Sequence, residues 1–156
     1  MTGTGWPPGL TADLQVLALL MADVHEDWWV IGSTAIVLAG VEGIEPNDID
    51  VLISAEAGRG LAARLDNKPL VMPPHPKFRS EVFFRRRLVS RDAEFMGGFE
   101  VAGEGGWQAF RPMSRRMVNV SGGVIAIPDV EDLKRMCRLF GRAKDIEKLA
   151  RLEALG

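Results

Sequence analysis

Asp48 and Asp50 flank Ile49, sixteen residues beyond the Gly32-Ser33 pair (32 to 48). The stretch Asn47-Asp48-Ile49-Asp50-Val51-Leu52-Ile53 reads as a β-strand, in which residues i and i+2 share a face. Both carboxylates therefore point the same way, and Ile49, Val51 and Ile53 point into a core on the other side. Two neighbouring anions raise each other's pKa, a poor arrangement for stability alone. A hard divalent cation removes the conflict, and Mg²⁺ is commonly held by one or two carboxylates together with substrate phosphates. The strand is thus a candidate metal platform for phosphoryl or nucleotidyl chemistry. Gly32-Ser33 supplies the complement. A Gly-Ser turn entering a helix presents backbone N–H groups and a hydroxyl at the positive end of the helix dipole, where a phosphate binds. A third carboxylate on a neighbouring strand would complete a two-metal arrangement.

The elements that must carry these residues follow from periodicity. Residues 1–10 are rich in Gly and Pro and read as a loose arm. Thr11 is a plausible N-cap for a helix to about Val24, with Leu14, Leu17, Ala18, Met21 and Val24 at helical spacing. Trp28 to Ile31 reads as a buried strand ending at Gly32. Thr34 to Ala39 reads as a short helix stopped by Gly40. After the acidic strand, Ala55 to Leu65 reads as a helix, and Pro69 to Lys77, with four prolines, as a loop. Ser80 to Val89 and Ala93 to Met96 read as strands, the second interrupted by Gly97-Gly98. Met117–Val120 and Val124–Ile127 flank a Ser-Gly-Gly turn and predict a hairpin. Residues 129–140 and 144–155 are two amphipathic helices parted by Gly141. The order predicts an α/β (α+β) architecture in a single domain over 1–156: a mixed β-sheet flanked by helices, with a C-terminal helical pair.

The composition is that of an ordinary globular protein, with 156 residues, 47% hydrophobic and 26% charged. A net charge of −2 provides no global positive field for nucleic acid. One cysteine excludes a disulfide framework, and two histidines beside it argue against structural zinc. The N-terminal residues lack the pattern of a signal peptide, and the apolar run 28–41 is too short to span a bilayer. The expectation is a cytoplasmic protein without membrane association.

Taken together, Val30-Ile31-Gly32-Ser33 and Asp48-Ile49-Asp50-Val51 resemble the signature of the polymerase-β-type nucleotidyltransferase superfamily. The chain is similar to its small bacterial members, including abortive-infection toxin-like proteins. The ending Gly141-Arg142-Ala143-Lys144-Asp145 resembles a G-R-x-K-D tail seen in many of them. The resemblance implies the nucleotidyltransferase fold and a Mg²⁺-dependent enzyme moving an NMP group from an NTP to an acceptor hydroxyl, with two ions when active. It implies Asp48, Asp50 and Glu94 as catalytic, metal-holding residues, and Gly32, Ser33, Arg142 and Lys144 as nucleotide contacts. Glu94, between Ala93 and Phe95, fits the acid-between-hydrophobics pattern of the third carboxylate; Asp92 and Glu100 compete with it. Two other readings stay open: a non-catalytic nucleotide- or partner-binding protein, as in a toxin–antitoxin pair, and an antibiotic-modifying nucleotidyltransferase. The acceptor is open among tRNA, a protein side chain and a small alcohol, with a homodimer or partner protein able to supply its pocket.

Plainer roles compete for several residues. Arg85-Arg86-Arg87 reads as a solvated edge strand rather than a nucleic-acid site. Arg142 and Lys144 are divided between triphosphate contact and capping or packing of the last helices. His25 compensates a helix dipole, and His75 has no evident partner. Cys137 reads as a small core residue. Trp107 either stacks on a base or covers a sheet edge.

Overall fold

The computed structural model describes residues 5–155. Its elements are α1 (Leu10–Met21), β1 (Trp29–Ile31), α2 (Gly32–Leu38), β2 (Asp48–Ile53), α3 (Ala55–Arg64), β3 (Phe78–Arg79), β4 (Val82–Arg87), β5 (Asp92–Gly97), β6 (Glu100–Gly103), β7 (Gly106–Ala109), β8 (Arg116–Val120), β9 (Gly123–Ile127), α4 (Val130–Phe140) and α5 (Ala143–Glu153). The main sheet has the order β1-β2-β5-β4. Its central pair, β2 and β5, is parallel, and both outer pairings are antiparallel. This is the mixed sheet that the order of sequence patterns predicts.

The back of that sheet carries the main core. Ile49, Val51 and Ile53 of β2 alternate inward and are buried, as the period-2 pattern requires. They join Phe84 and Phe95, whose rings stack 4.6 Å apart across β4 and β5. Helices α1, α2 and α3 contribute Leu14, Leu17, Ile36, Leu38 and Leu61 to the same cluster. The front of the sheet has a different character. Along β2 it presents Asp48, Asp50 and Leu52, and along β5, in register, Asp92, Glu94 and Met96. Its apolar end merges with a second cluster of Trp29, Ile31, Leu52, Phe99, Met136 and Phe140. A small sheet of order β3-β6-β7 and helix α4 build that cluster.

Several boundaries depart from the sequence reading. The chain is built into the fold earlier than the predicted arm allows: Trp6 packs against the main core and Leu10 is fully buried. The rest of the arm, residues 1–4, lies outside the described residues. The cap of α1 is Gly9, at φ 80°, not Thr11. A Cβ at Gly9 would sit 2.6 Å from Ser90 Oγ, so no larger residue fits under the β4–β5 connection. Ser90 is there because Asp13, fully buried on α1, gathers that connection. Its carboxylate accepts from the backbone N–H groups of Val89 (2.9 Å) and Ser90 (2.7 Å), from Ser90 Oγ (2.7 Å) and from the Arg91 guanidinium (2.9 Å). Arg91 Nε in turn donates to Pro46 O at 2.8 Å, just before β2. One buried ion pair therefore locks α1, the β4–β5 turn and the entry to the acidic strand.

The sequence reading also missed β3, β6 and β7. They are short, glycine-punctuated and half-exposed, and their stability comes from aromatic packing between distant segments rather than from local alternation. Trp107 lies on β7, the edge of this small sheet, with the Arg79 guanidinium 4.3 Å from its ring centre. His75 does have partners: its Nδ1 accepts from the N–H groups of Lys77 (3.0 Å) and Phe78 (3.2 Å), and its ring stacks on Phe78. It closes the proline-rich loop onto β3. Among the described residues, no helix is long and apolar enough to cross a membrane.

Candidate active site

The acidic residues meet because β2 and β5 run parallel and in register. Asp50 lies beside Glu94, and Asp48 beside Asp92. The next strand continues each row, since Arg85 pairs with Glu94 and Arg87 with Asp92. The front of the sheet is thus crossed by two rungs, each reading acid, acid, arginine. In the upper rung Arg85 Nε donates to Glu94 Oε2 at 2.6 Å; in the lower, Arg87 lies 3.5 Å from Asp92. Of the three competitors for the third acid, Glu94 is the one beside Asp50. Glu100 lies on β6, paired with Arg79 at 2.8 Å.

On the other flank of β2, Ile31 pairs with Asp50, so the β1–α2 turn falls against that carboxylate. Gly32 has φ 69°, and a Cβ there would lie 2.9 Å from Asp50 Oδ2. Only glycine satisfies both the left-handed backbone and this approach. Thr34, buried one turn into α2, donates to the backbone carbonyl of Asp48 at 3.2 Å and fixes the turn to the strand.

These groups line a cavity of about 240 Å³ roofed by α4 and α5. Gly32, Ser33, Asp48, Asp50 and Glu94 form one side; Arg142 and Lys144 reach it from the other. All seven site residues expected from the sequence therefore face one space. The two basic ones are not equivalent. Arg142 Nε donates to Asp145 Oδ2 at 2.6 Å and its guanidinium lies over the rings of Phe78 and Phe140, so it caps and packs α5 while bordering the cavity. Lys144 is exposed at the rim. Cys137 is a buried lining residue whose thiol burial pushes up in pKa.

Electrostatics mark the centre of the site. Burial, the charge of Glu94, a hydrogen bond with Glu94 and the charge of Asp48 push Asp50 up to about 7, while Lys148 opposes them. Burial, with Glu94 and Asp92, raises Asp48 as well. Asp50 and Glu94 thus stand as neighbouring acids in register on parallel strands, crowded anions whose repulsion a cation would relieve. Their hard oxygen donors suit Mg²⁺ rather than a soft metal. Among the described residues no three acidic, cysteine or histidine side chains are already drawn around one point as ion ligands.

Two contributors escaped the sequence reading. Lys148 lies one helical turn beyond Lys144 on α5 and lines the same cavity; the i, i+4 spacing of the two lysines was the available signal. Arg85 appeared as part of a solvated basic run, and nothing local says that it faces Glu94. Only the β4–β5 register decides that. A larger cavity of about 1020 Å³ opens farther along the same sheet face, lined by Trp29, Leu52, Phe99 and Phe110, with Glu26 and Glu81 among its polar residues. Leu52 is the next residue after Asp50 on that face, about 7 Å along the strand.

No protein-family model matches the sequence, and no curated protein matches it significantly. Solved structures do match. A provisionally assigned nucleotidyltransferase from Thermotoga maritima superposes with a TM-score of 0.75 at 20% identity, covering 97% of this chain and 96% of that one. The chain has the nucleotidyltransferase fold. A lincosamide antibiotic adenylyltransferase in its lincomycin-bound form shares this fold at a TM-score of 0.59, with 18% identity over 92% of this chain and 96% of its own. An antibiotic-resistance protein solved with adenylyl-2″-tobramycin shares it at 0.55, with 12% identity over 94% of this chain and 89% of its own. The mixed sheet and the C-terminal helical pair belong to the nucleotidyltransferase fold.

Proposed function

We propose that the protein is a Mg²⁺-dependent nucleotidyltransferase that moves an NMP group from an NTP to an acceptor hydroxyl. The observation that carries this reading is the Asp50–Glu94 pair, in register on parallel strands, with Gly32 held against Asp50. Ser33 and the backbone at Gly32 would bind phosphate oxygens. Asp48, Asp50 and Glu94 would hold the Mg²⁺, which when bound would supply neutralisation of the phosphates' charge. The acceptor oxygen attacks the α-phosphorus as the bond to the β-phosphate oxygen breaks. Pyrophosphate leaves with the electron pair, and the hydroxyl proton passes to the carboxylate pair. The protein's part is positioning and charge neutralisation. Arg85 holds Glu94 in place from outside the cavity.

The larger cavity is our candidate for the acceptor site, since it lies on the same face and is walled by aromatic rings. Two fold neighbours were solved with lincomycin and with adenylyl-2″-tobramycin, which favours a small hydroxylated acceptor over tRNA, in keeping with the net charge of −2. We place the reaction in the cytoplasm, where NTPs are supplied. The test is calorimetry with each NTP, with and without Mg²⁺, on the wild type and Asp50→Asn. Metal-dependent binding lost in the variant supports the reading; unchanged binding refutes it. Metal-dependent binding without transfer to any acceptor would favour a nucleotide-binding partner protein, as in a toxin–antitoxin pair.

A further inference from the structure

We propose that Lys148 is the residue that grips the triphosphate tail and takes up the charge of the departing pyrophosphate. The assignment rests on the nucleotidyl-transfer reading and goes beyond it by dividing the work among the three basic residues that α5 brings to the cavity. Arg142 is held by two bonds from its guanidinium to Asp145, at 2.6 and 3.1 Å, and lies over two phenylalanine rings. Lys144 stands exposed at the mouth. Lys148 is half-buried inside, and among the described residues it forms no ion pair within 4.0 Å. Burial chiefly, with the charges of Lys144 and Arg142, holds its pKa below the ordinary lysine value, while Asp145 favours the ammonium.

A half-buried ammonium without a partner is costly unless an anion completes it. Asp50 and Glu94 line the same cavity, and Lys148 makes no ion pair with either, acting on Asp50 only through its charge. Lys148 thus faces the carboxylates across the cavity, where a nucleotide's outer phosphates would lie if its α-phosphate sat at Asp50. A lysine suits that role, being a compact charge on a flexible stem that can follow a leaving group. In the transfer step no proton leaves it. The Pα–O bond breaks, the electron pair stays on the bridging oxygen, and the ammonium donates hydrogen bonds to the growing charge.

The experiment compares ATP, AMP and inorganic tripolyphosphate, each with excess Mg²⁺, by calorimetry on the wild type, Lys148→Met and Lys148→Arg. Methionine keeps the apolar stem, and a thermal melt checks that each variant is folded. The expected result is a loss of about tenfold or more for ATP and tripolyphosphate, a size typical of one charge-assisted hydrogen bond. AMP binding should change less than about twofold, and arginine should recover part of the loss. Equal loss for ATP and AMP would make Lys148 a counter-ion of Asp50 and overturn the assignment. No loss for ATP would overturn it too, and would leave nucleotidyl transfer standing. A wild type that binds no nucleotide would remove the transfer reading, and the assignment with it.

Discussion

At the scale of single residues, the acidic site trades stability for chemistry, and the balance depends on pH. Asp50 is pushed up to about 7 in the fold, from the ordinary 3.8. Below about pH 4 both folded and unfolded chains hold this proton. Between about 4 and 7 the unfolded chain releases it while the fold retains it, so stability falls as pH rises. Above about 7 the whole penalty is present. Asp50→Asn should therefore stabilise the ligand-free protein at pH 8 by about 1–3 kcal/mol, with the gain vanishing near pH 4; urea unfolding of both proteins across this range measures it. Asp13 behaves in the opposite sense. Burial raises it, but the hydrogen bonds from Ser90, Arg91 and Val89 outweigh burial and hold it below 3.8. Its contribution is present above that value and is lost as pH falls through its lower folded pKa. Asp13→Asn removes the buried partner of Arg91 and leaves it only the exposed Glu45 at 3.7 Å, and should cost about 3–5 kcal/mol in the same assay.

At the scale of elements, the β1–α2 turn and the β2–β5 register do the positioning. Gly32→Val must overcome both a φ of 69° and a Cβ 2.9 Å from Asp50 Oδ2. We expect it to lose NTP affinity by far more than Ser33→Ala, which removes one hydroxyl contact worth about 1 kcal/mol; parallel calorimetric titrations compare them. Glu94→Gln should keep NTP binding and lose transfer, the pattern of a group used in the chemical step. Single-turnover measurement with a labelled NTP separates the two effects. The strand carrying Asp48 and Asp50 was legible from its alternation, and so was the turn before it. The partnership of Glu94 with Arg85 was not. It depends on which strands become neighbours, and period 2 says which face a residue takes without saying what lies beside it.

At the scale of the whole molecule, the small sheet and the last two helices decide what covers the acidic face. Phe78, on β3 of the small sheet, is the junction: it stacks on Phe99 just before β6 (5.8 Å), meets Phe140 of α4 edge-on (5.1 Å), and lies under Arg142 at the start of α5. Phe99 and Phe140 line the large and small cavities respectively. Phe78→Ala should cost about 1–3 kcal/mol, less than a fully buried phenylalanine because the ring is half-exposed. It should also weaken NTP binding although it touches none of the carboxylates, which urea unfolding and calorimetry together would reveal.

The sequence by itself determined the order of the main elements, the inward face of the acidic strand and the close turn at Gly32. These follow from side-chain periodicity and backbone geometry, which act over a few residues. The tertiary structure alone decided the rest: the small sheet, the buried Asp13–Arg91 lock, the commitment of Arg142 to Asp145 and the entry of Lys148 into the cavity. Each joins chemistry from segments whose meeting depends on strand order and helix docking. No local pattern encodes such a meeting, because the free energy that selects it comes from packing the whole chain at once.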